Sequence, residues 1–326
     1  MTVESSVPYP RLIGDVGGTN ARFALQEAPN APPTQVANFA CAEHASFGAV
    51  IALYLRNLGG PRPRQGAVGI ANPVVGDHVQ MTNHHWAFSI EQVRQDLDFD
   101  RLLVINDFTA LALSLPSLAA EDLRQIGTGS ADPSAAVGLL GPGTGLGVSG
   151  LFRIDGGHRA LPIDGEGGHV SLAPSTARED GVVAALRGRF GHASAERALS
   201  GPGLVNIYEA LCGLDGETPR SLDPAAVTAE AIAGSDARCV EAVDMFFSLL
   251  GSVAGNLALT LGARGGVYIG GGIVPRLGDW IDRSQFRERF VSKGRFRTYL
   301  ERMPTWLVQA RTSPALIGAA RALDAL

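Results

Sequence analysis

The chain has 326 residues, 45% of them hydrophobic and 18% charged, with a formal net charge of −5. That length exceeds one ordinary domain and suits two lobes with a core each, and the composition excludes a disordered chain. The negative charge argues against nucleic acid or an anionic membrane surface as a partner.

Residues 11–16 form a short apolar strand that runs into Gly17-Gly18-Thr19-Asn20, and 21–25 alternate as a second strand. Two strands about a glycine turn make a hairpin, not a strand-to-helix unit. A helix is expected over 45–58, ended by Gly59-Gly60-Pro61, then strands over 65–71 and 77–81. Ser89 is a helix N-cap. The apolar run 102–105 is a strand covered on both faces; it ends at Asn106-Asp107, and a helix follows through Leu115. Residues 137–140 enter Gly141-Pro-Gly-Thr-Gly-Leu-Gly147 and leave as a strand over 148–152, repeating the pattern of 11–25. The middle, about 179–261, is helical, with Ser200 and Asp223 as N-caps and one long buried helix over 237–261. A strand over 265–269 leads into Gly270-Gly271-Gly272, and a capped helix over 313–323 closes the chain.

Cys41, Cys212 and Cys239 are far apart and form no C-x-x-C pair, so neither a zinc knuckle nor a disulfide framework is expected. No signal peptide opens the chain, and no run of ~20 apolar residues stands out, so a cytoplasmic protein that does not span a membrane is expected.

Glycine numbers 41 of 326, above the usual ~7%, and it is clustered. Such turns let a phosphate approach backbone N–H groups, or supply positive φ. The first cluster offers Gly17, Gly18, Thr19 and Asn20, with Asp15 at the strand end near an accompanying metal. The second offers Gly143, Thr144 and Gly145. The third, Gly271 and Gly272, lets a flat ring lie against the backbone. Read alone, each is equally a plain hairpin turn or a close-packing site. A Walker loop would need a lysine, and Lys293 is the only one in the chain; a dinucleotide fingerprint would need G-x-G-x-x-G opening a helix.

The ordered series DVGGTNAR (15–22), IND (105–107), GPGTGLG (141–147), EGGH (166–169), SAER-x-LSGPGLVN (194–206) and GG-x-x-IGGGIVPR (265–276) is similar to the bacterial glucokinase family, within the actin-like ATPase and hexokinase superfamily. The resemblance covers roughly residues 11–323. The repressor-type sugar kinases usually carry a cysteine-rich zinc motif, which this chain lacks, so it resembles the non-repressor group.

The resemblance implies an α/β, two-lobe actin-like ATPase (ribonuclease H-like) fold with an interlobe cleft. The small lobe would be 11–119 plus 310–326, and the large lobe 120–309. It implies ATP-dependent phosphorylation of glucose at the 6-hydroxyl, with ATP and Mg²⁺, and a homodimer. Asp107 would be the catalytic base, with Asn106 on neighbouring hydroxyls. Glu166, His169 and Glu196 would bind further sugar hydroxyls, and Asn83 would be a possible contact at the cleft wall. ATP would lie on Gly17, Gly18, Thr19, Asn20, Gly143, Thr144, Gly145, Gly271 and Gly272, with Asp15 holding the metal directly or through water. Without the motif, Asn106-Asp107 reads as a helix cap and Glu196 as a surface carboxylate. His84 and His85 suggest a metal, but adjacent residues of a strand point to opposite faces, so the expectation is none. The same resemblance makes residues 81–88 a wall of the sugar cleft, and for Trp86 and Phe88 the alternative is plain core. The rivals are a kinase for mannose, fructose or N-acetylglucosamine, or a sugar-sensing regulator on the same fold.

Overall fold

A computed structural model describes residues 9–82, 84–157, 159–310 and 313–325. The chain divides into two compact units: 1–119 with 159–164 and 310–326, and 120–158 with 165–309.

Unit one is built on a five-stranded sheet. Strands β1 (Arg11–Val16) and β2 (Asn20–Gln26) form the first hairpin, and β3 (Thr34–Ala40) extends it antiparallel. On the other side of β1, β4 (Gln65–Ile70) runs parallel. After the small hairpin β5 (His78–Gln80) and β6 (Ala87–Ser89), strand β7 (Arg101–Asn106) adds to β4 in parallel, so the order is β3-β2-β1-β4-β7. Helix α1 (Phe47–Arg56) is shorter than expected: Ser46 is its N-cap, accepting from Ala49 N. Helix α2 (Ile90–Asp96) starts at Ser89, whose hydroxyl accepts from Gln92 N. Helix α3 (Asp107–Ser114) follows β7 without a loop.

Unit two repeats that plan. After β8 (Leu123–Ile126), strands β9 (Val137–Pro142) and β10 (Leu146–Ile154) form the second hairpin. The short strand β11 (Arg159–Ile163) belongs to unit one. Helices α4 (Ala177–Phe190), α5 (Gly201–Leu214), α6 (Pro224–Ala233) and α7 (Ala237–Leu261) follow. Asp223 and Ser200 cap α6 and α5, accepting from Ala226 N and Gly203 N. Strand β12 (Val267–Ile269) pairs parallel to β9, and β13 (Thr305–Val308) parallel to β12. Between them lie the short helices α8 (Ile273–Arg276), α9 (Trp280–Arg283), α10 (Phe286–Val291) and α11 (Arg297–Glu301). The order β10-β9-β12-β13-β8 sets a hairpin beside parallel strands, as in unit one. Helix α12 (Pro314–Ala325) returns to unit one and packs on α3, β4 and β1.

By length and composition α7 meets the requirement for crossing a bilayer, against the expectation that no stretch would. Its apolar face is instead the centre of unit two: Phe246, Phe247, Leu249 and Leu250 are fully buried there. Close helix packing explains its glycines. A Cβ on Gly251 would stand 2.1 Å from Phe286 O, the first residue of α10.

Candidate active site

In each unit some of the candidate residues lie at the carboxyl ends of parallel strands, where open α/β sheets place ligands. In unit one, β1 ends at Asp15-Val16. The turn beyond it is held by Gly17 N donating to Asn20 O (2.9 Å) and Cys41 N donating to Thr19 O (2.8 Å). Asp15 Oδ2 accepts from Ser313 Oγ at 2.9 Å. Burial pushes the Asp15 carboxyl above its ordinary value, while the Ser313 hydrogen bond and the Arg22 charge pull it down. A cation beside this carboxylate would offset the same desolvation.

Strand β7 ends at Asn106. Its side-chain oxygen accepts from Phe108 N (2.9 Å) and Thr109 N (3.2 Å), so it is the N-cap of α3. Its amide nitrogen donates to Asn72 O at 3.4 Å. Asp107 is the first residue of α3 and is half-buried; one carboxylate oxygen accepts from Phe108 N. The capping reading of Asn106 is therefore realised, and the cap fixes where Asp107 stands. Two polar residues that sequence reasoning passed over support this corner. Thr109 Oγ1 donates to Asp164 Oδ1 at 2.6 Å, and the buried Asn72 accepts from Thr82 N and Oγ1. Asn72 carried a signal, a polar residue ending an apolar strand; Asp164, 55 residues from its partner, carried none.

In unit two, the turn between β9 and β10 is closed by Gly143 N donating to Gly145 O at 2.8 Å. Glu196 lies against this turn: its Oε2 accepts from Leu146 N at 2.9 Å, and a Cβ on Gly145 would fall 2.4 Å from that oxygen. Gly201 N donates to Gly143 O at 2.8 Å. The segment Gly165 to His169 packs beside β10, where a Cβ on Gly168 would meet Leu146 O at 2.1 Å. Glu166 and His169 are both exposed, with Oε2 and Nε2 4.0 Å apart. A cavity of about 700 Å³ opens beside the turn, lined by Gly143, Thr144, Gly201, Gly272, Ile273 and Arg276 among others. Residues of α6, including Pro224, Thr228 and Ile232, complete the lining; they had no motif to mark them.

The glycines serve two different purposes. Gly17, Gly143 and Gly145 lie outside the left-handed region, so they are not needed for the turn conformation. Gly143 faces open space, which keeps its backbone approachable. Gly271 has φ of +77°, and a Cβ there would stand 2.3 Å from Pro142 O, so it packs the third cluster onto the end of β9. Only Gly272 of that pair lines the cavity.

Asn83 lies outside the described residues. His84 and His85 differ from expectation: they sit in a bend, not a strand, and their rings are 4.2 Å apart. His84 also packs edge-on against Trp86 at 4.5 Å. The strand alternation fails because β6 begins only at Ala87. Even so, no group of three or more His, Cys, Asp or Glu able to hold a metal occurs among the described residues. Trp86 and Phe88 are buried in the core of unit one, as the alternative to a cleft wall had it.

A strand–glycine turn–strand hairpin beside parallel strands in each unit is the plan of the actin-like ATPase fold, and the chain is a sugar kinase of that fold. A glucokinase from an Antarctic psychrotroph superposes with a TM-score of 0.87 and 36% identity, over 97% of this chain and 98% of that one. The chain is 56% identical over 327 residues to the glucokinase of Aromatoleum aromaticum, spanning 99% of this chain and 97% of that protein. It is 52% identical to the glucokinase of Chromobacterium violaceum, over 96% and 88% of the two chains. The family model described as Glucokinase matches residues 12–326, and the chain belongs to the glucokinase family.

Proposed function

We propose that the chain transfers the γ-phosphoryl group of ATP to the 6-hydroxyl of glucose, giving glucose 6-phosphate and ADP. The observation that carries this is a 700 Å³ cavity walled by the second glycine turn, in a chain of the glucokinase family. The adenosine moiety occupies that cavity, beside Gly272. The phosphates lie on the second glycine turn, at Gly143, Thr144 and Gly145, with Gly17, Gly18, Thr19 and Asn20 as the second cradle; the N–H groups of Gly143 and Gly17 already donate within their own turns. No lysine serves the phosphates: Lys293 Nζ donates to Ser252 O at 3.0 Å.

Asn106 and Asp107 bind sugar hydroxyls, as do Glu166, His169, Glu196 and Asn83. Asp107 accepts the 6-hydroxyl proton as the bond from O6 to the γ-phosphorus forms. The bond from that phosphorus to the bridging oxygen breaks, and its electron pair leaves with ADP. Asp15, whose carboxylate is desolvated at the end of β1 and accepts from Ser313, would be the protein's contact to Mg²⁺, direct or through water. A single hard oxygen donor of this kind would suit a Mg²⁺ that arrives with the nucleotide. Mg²⁺ supplies neutralisation of the charge that builds on the phosphates.

The two units are read as the small lobe, 11–119 plus 310–326, and the large lobe, 120–309, with the exchange of 159–164 noted above. A cytoplasmic homodimer is the assembly proposed; light scattering of the purified protein measures its mass. The activity is tested with a panel of hexoses, MgATP and coupled detection of ADP. Glucose should give the highest kcat/KM, and EDTA should abolish turnover. No turnover of any hexose by folded protein overturns the reading, and a higher kcat/KM for mannose, fructose or N-acetylglucosamine reassigns the substrate.

A further inference from the structure

The residue assigned to the sugar and the turn assigned to the phosphates are joined by a hydrogen bond. Glu196 and the second glycine turn are 50 residues apart in sequence, yet Glu196 Oε2 accepts from Leu146 N at 2.9 Å. The contact is tight. Gly145 has no room for a Cβ, because the carboxylate fills the space. The same segment grips the turn a second time, through Gly201 N on Gly143 O at 2.8 Å. It is itself braced: Ser200 Oγ donates to Glu196 O at 2.8 Å and accepts from Gly203 N at 3.0 Å, which caps α5. Gly201 and Pro202 then continue into the lining of the 700 Å³ cavity. Residues 194–203 thus carry a sugar-assigned carboxylate at one end and a nucleotide-cavity wall at the other.

We infer that Glu196 is a positioning residue for the nucleotide as well as a sugar ligand, and that it couples the two substrates through the Leu146 N–H. One carboxylate oxygen holds the turn while the other meets the sugar. A sugar that orders the carboxylate orders the phosphate turn, and a nucleotide that orders the turn orders the carboxylate. Such coupling is reciprocal by thermodynamic necessity and is commonly 5- to 150-fold. The inference rests on the kinase reading above.

The test uses the full chain and titration calorimetry, with two binary measurements. Mg²⁺–AMPPNP is titrated without sugar, and glucose without nucleotide. Glu196→Ala should weaken AMPPNP binding by about fivefold or more, an effect a residue serving only the sugar cannot have. Glu196→Gln keeps an acceptor for Leu146 N–H and should restore AMPPNP affinity while glucose affinity stays reduced. Gly145→Ala, which displaces the carboxylate without itself meeting sugar, should weaken glucose binding by about fivefold or more. Glucose turnover by the unaltered chain, measured first, tests the kinase reading; its absence overturns both. If that turnover is present and Glu196→Ala binds AMPPNP normally, or Gly145→Ala binds glucose normally, the coupling alone is overturned.

Discussion

Asp107 owes its position to its neighbour. Asn106 caps α3 with its side-chain oxygen, so the helix begins at the last bond of β7 and the first side chain of its first turn is a carboxylate. Removing the base while keeping the shape should therefore cost chemistry rather than structure. Asp107→Asn should retain its fold and glucose binding and lose about 10²- to 10⁴-fold in kcat, the range for a missing general base. Steady-state kinetics beside glucose titration checks this, and near-normal turnover would remove Asp107 from that role. Lys293 makes a different residue-scale case. Burial, then the Arg289 charge, pull its amine below the ordinary value of 10.5. The unfolded chain therefore binds the proton more tightly than the folded one. The stability this group contributes is present above 10.5 and lost as pH falls through the folded value. Denaturant unfolding across that window should show the native chain gaining on Lys293→Met as pH rises. A constant gap would mean that the amine titrates alike in both states.

Elements are locked together by contacts that leave little room for substitution. Arg289 on α10 meets Glu179 on α4 through two hydrogen bonds, 2.7 and 2.9 Å, with both side chains largely buried. Leaving either charge alone is expensive. Glu179→Ala should lose about 3–5 kcal/mol, and the paired apolar change Glu179→Met with Arg289→Leu far less. Urea unfolding of the single and double variants compares them; equal losses would contradict the desolvation argument. Helices α3 and α12 cross so closely that a Cβ on Gly318 would stand 1.6 Å from Ala110 O. Gly318→Ala must push α12 away from α3 and should cost about 1–3 kcal/mol or more by thermal unfolding. Because α12 carries the chain on from Ser313, the partner of Asp15, the same change should also raise the KM for ATP.

At the scale of the whole molecule, one sheet plan appears twice, and each copy ends its strands in polar, glycine-rich turns. A ligand that binds only the folded chain must raise its stability. Glucose at about 100 times its dissociation constant should add about 2.7 kcal/mol, read as a rise in melting temperature that galactose at the same concentration does not reproduce. No shift with any hexose would argue against a sugar site.

Local chemistry made much of this legible in advance. The two hairpins follow from alternation broken by glycine, and the starts of α2, α5 and α6 from Ser89, Ser200 and Asp223 with their own backbone neighbours. The polar end of β7 is equally local, since an apolar strand simply stops at Asn106. The order of the motifs was enough to indicate the family. Where residues distant in sequence meet, the reading had no signal to use. Asp164 on Thr109, Ser313 on Asp15 and Glu196 on Leu146 span 55, 298 and 50 residues. The α6 wall of the cavity is in the same position, because an apolar helix face looks alike whether it meets core or ligand. The adjacent rings of His84 and His85 were unforeseen for a related reason: a bend between β5 and β6 replaced the strand that alternation assumed. The sequence by itself determined the turns, the caps and the strand ends, because those depend on hydrogen bonds within a few residues. Only the tertiary structure decided which glycines are open to a ligand and which are packed shut, because that depends on what the rest of the chain lays against them.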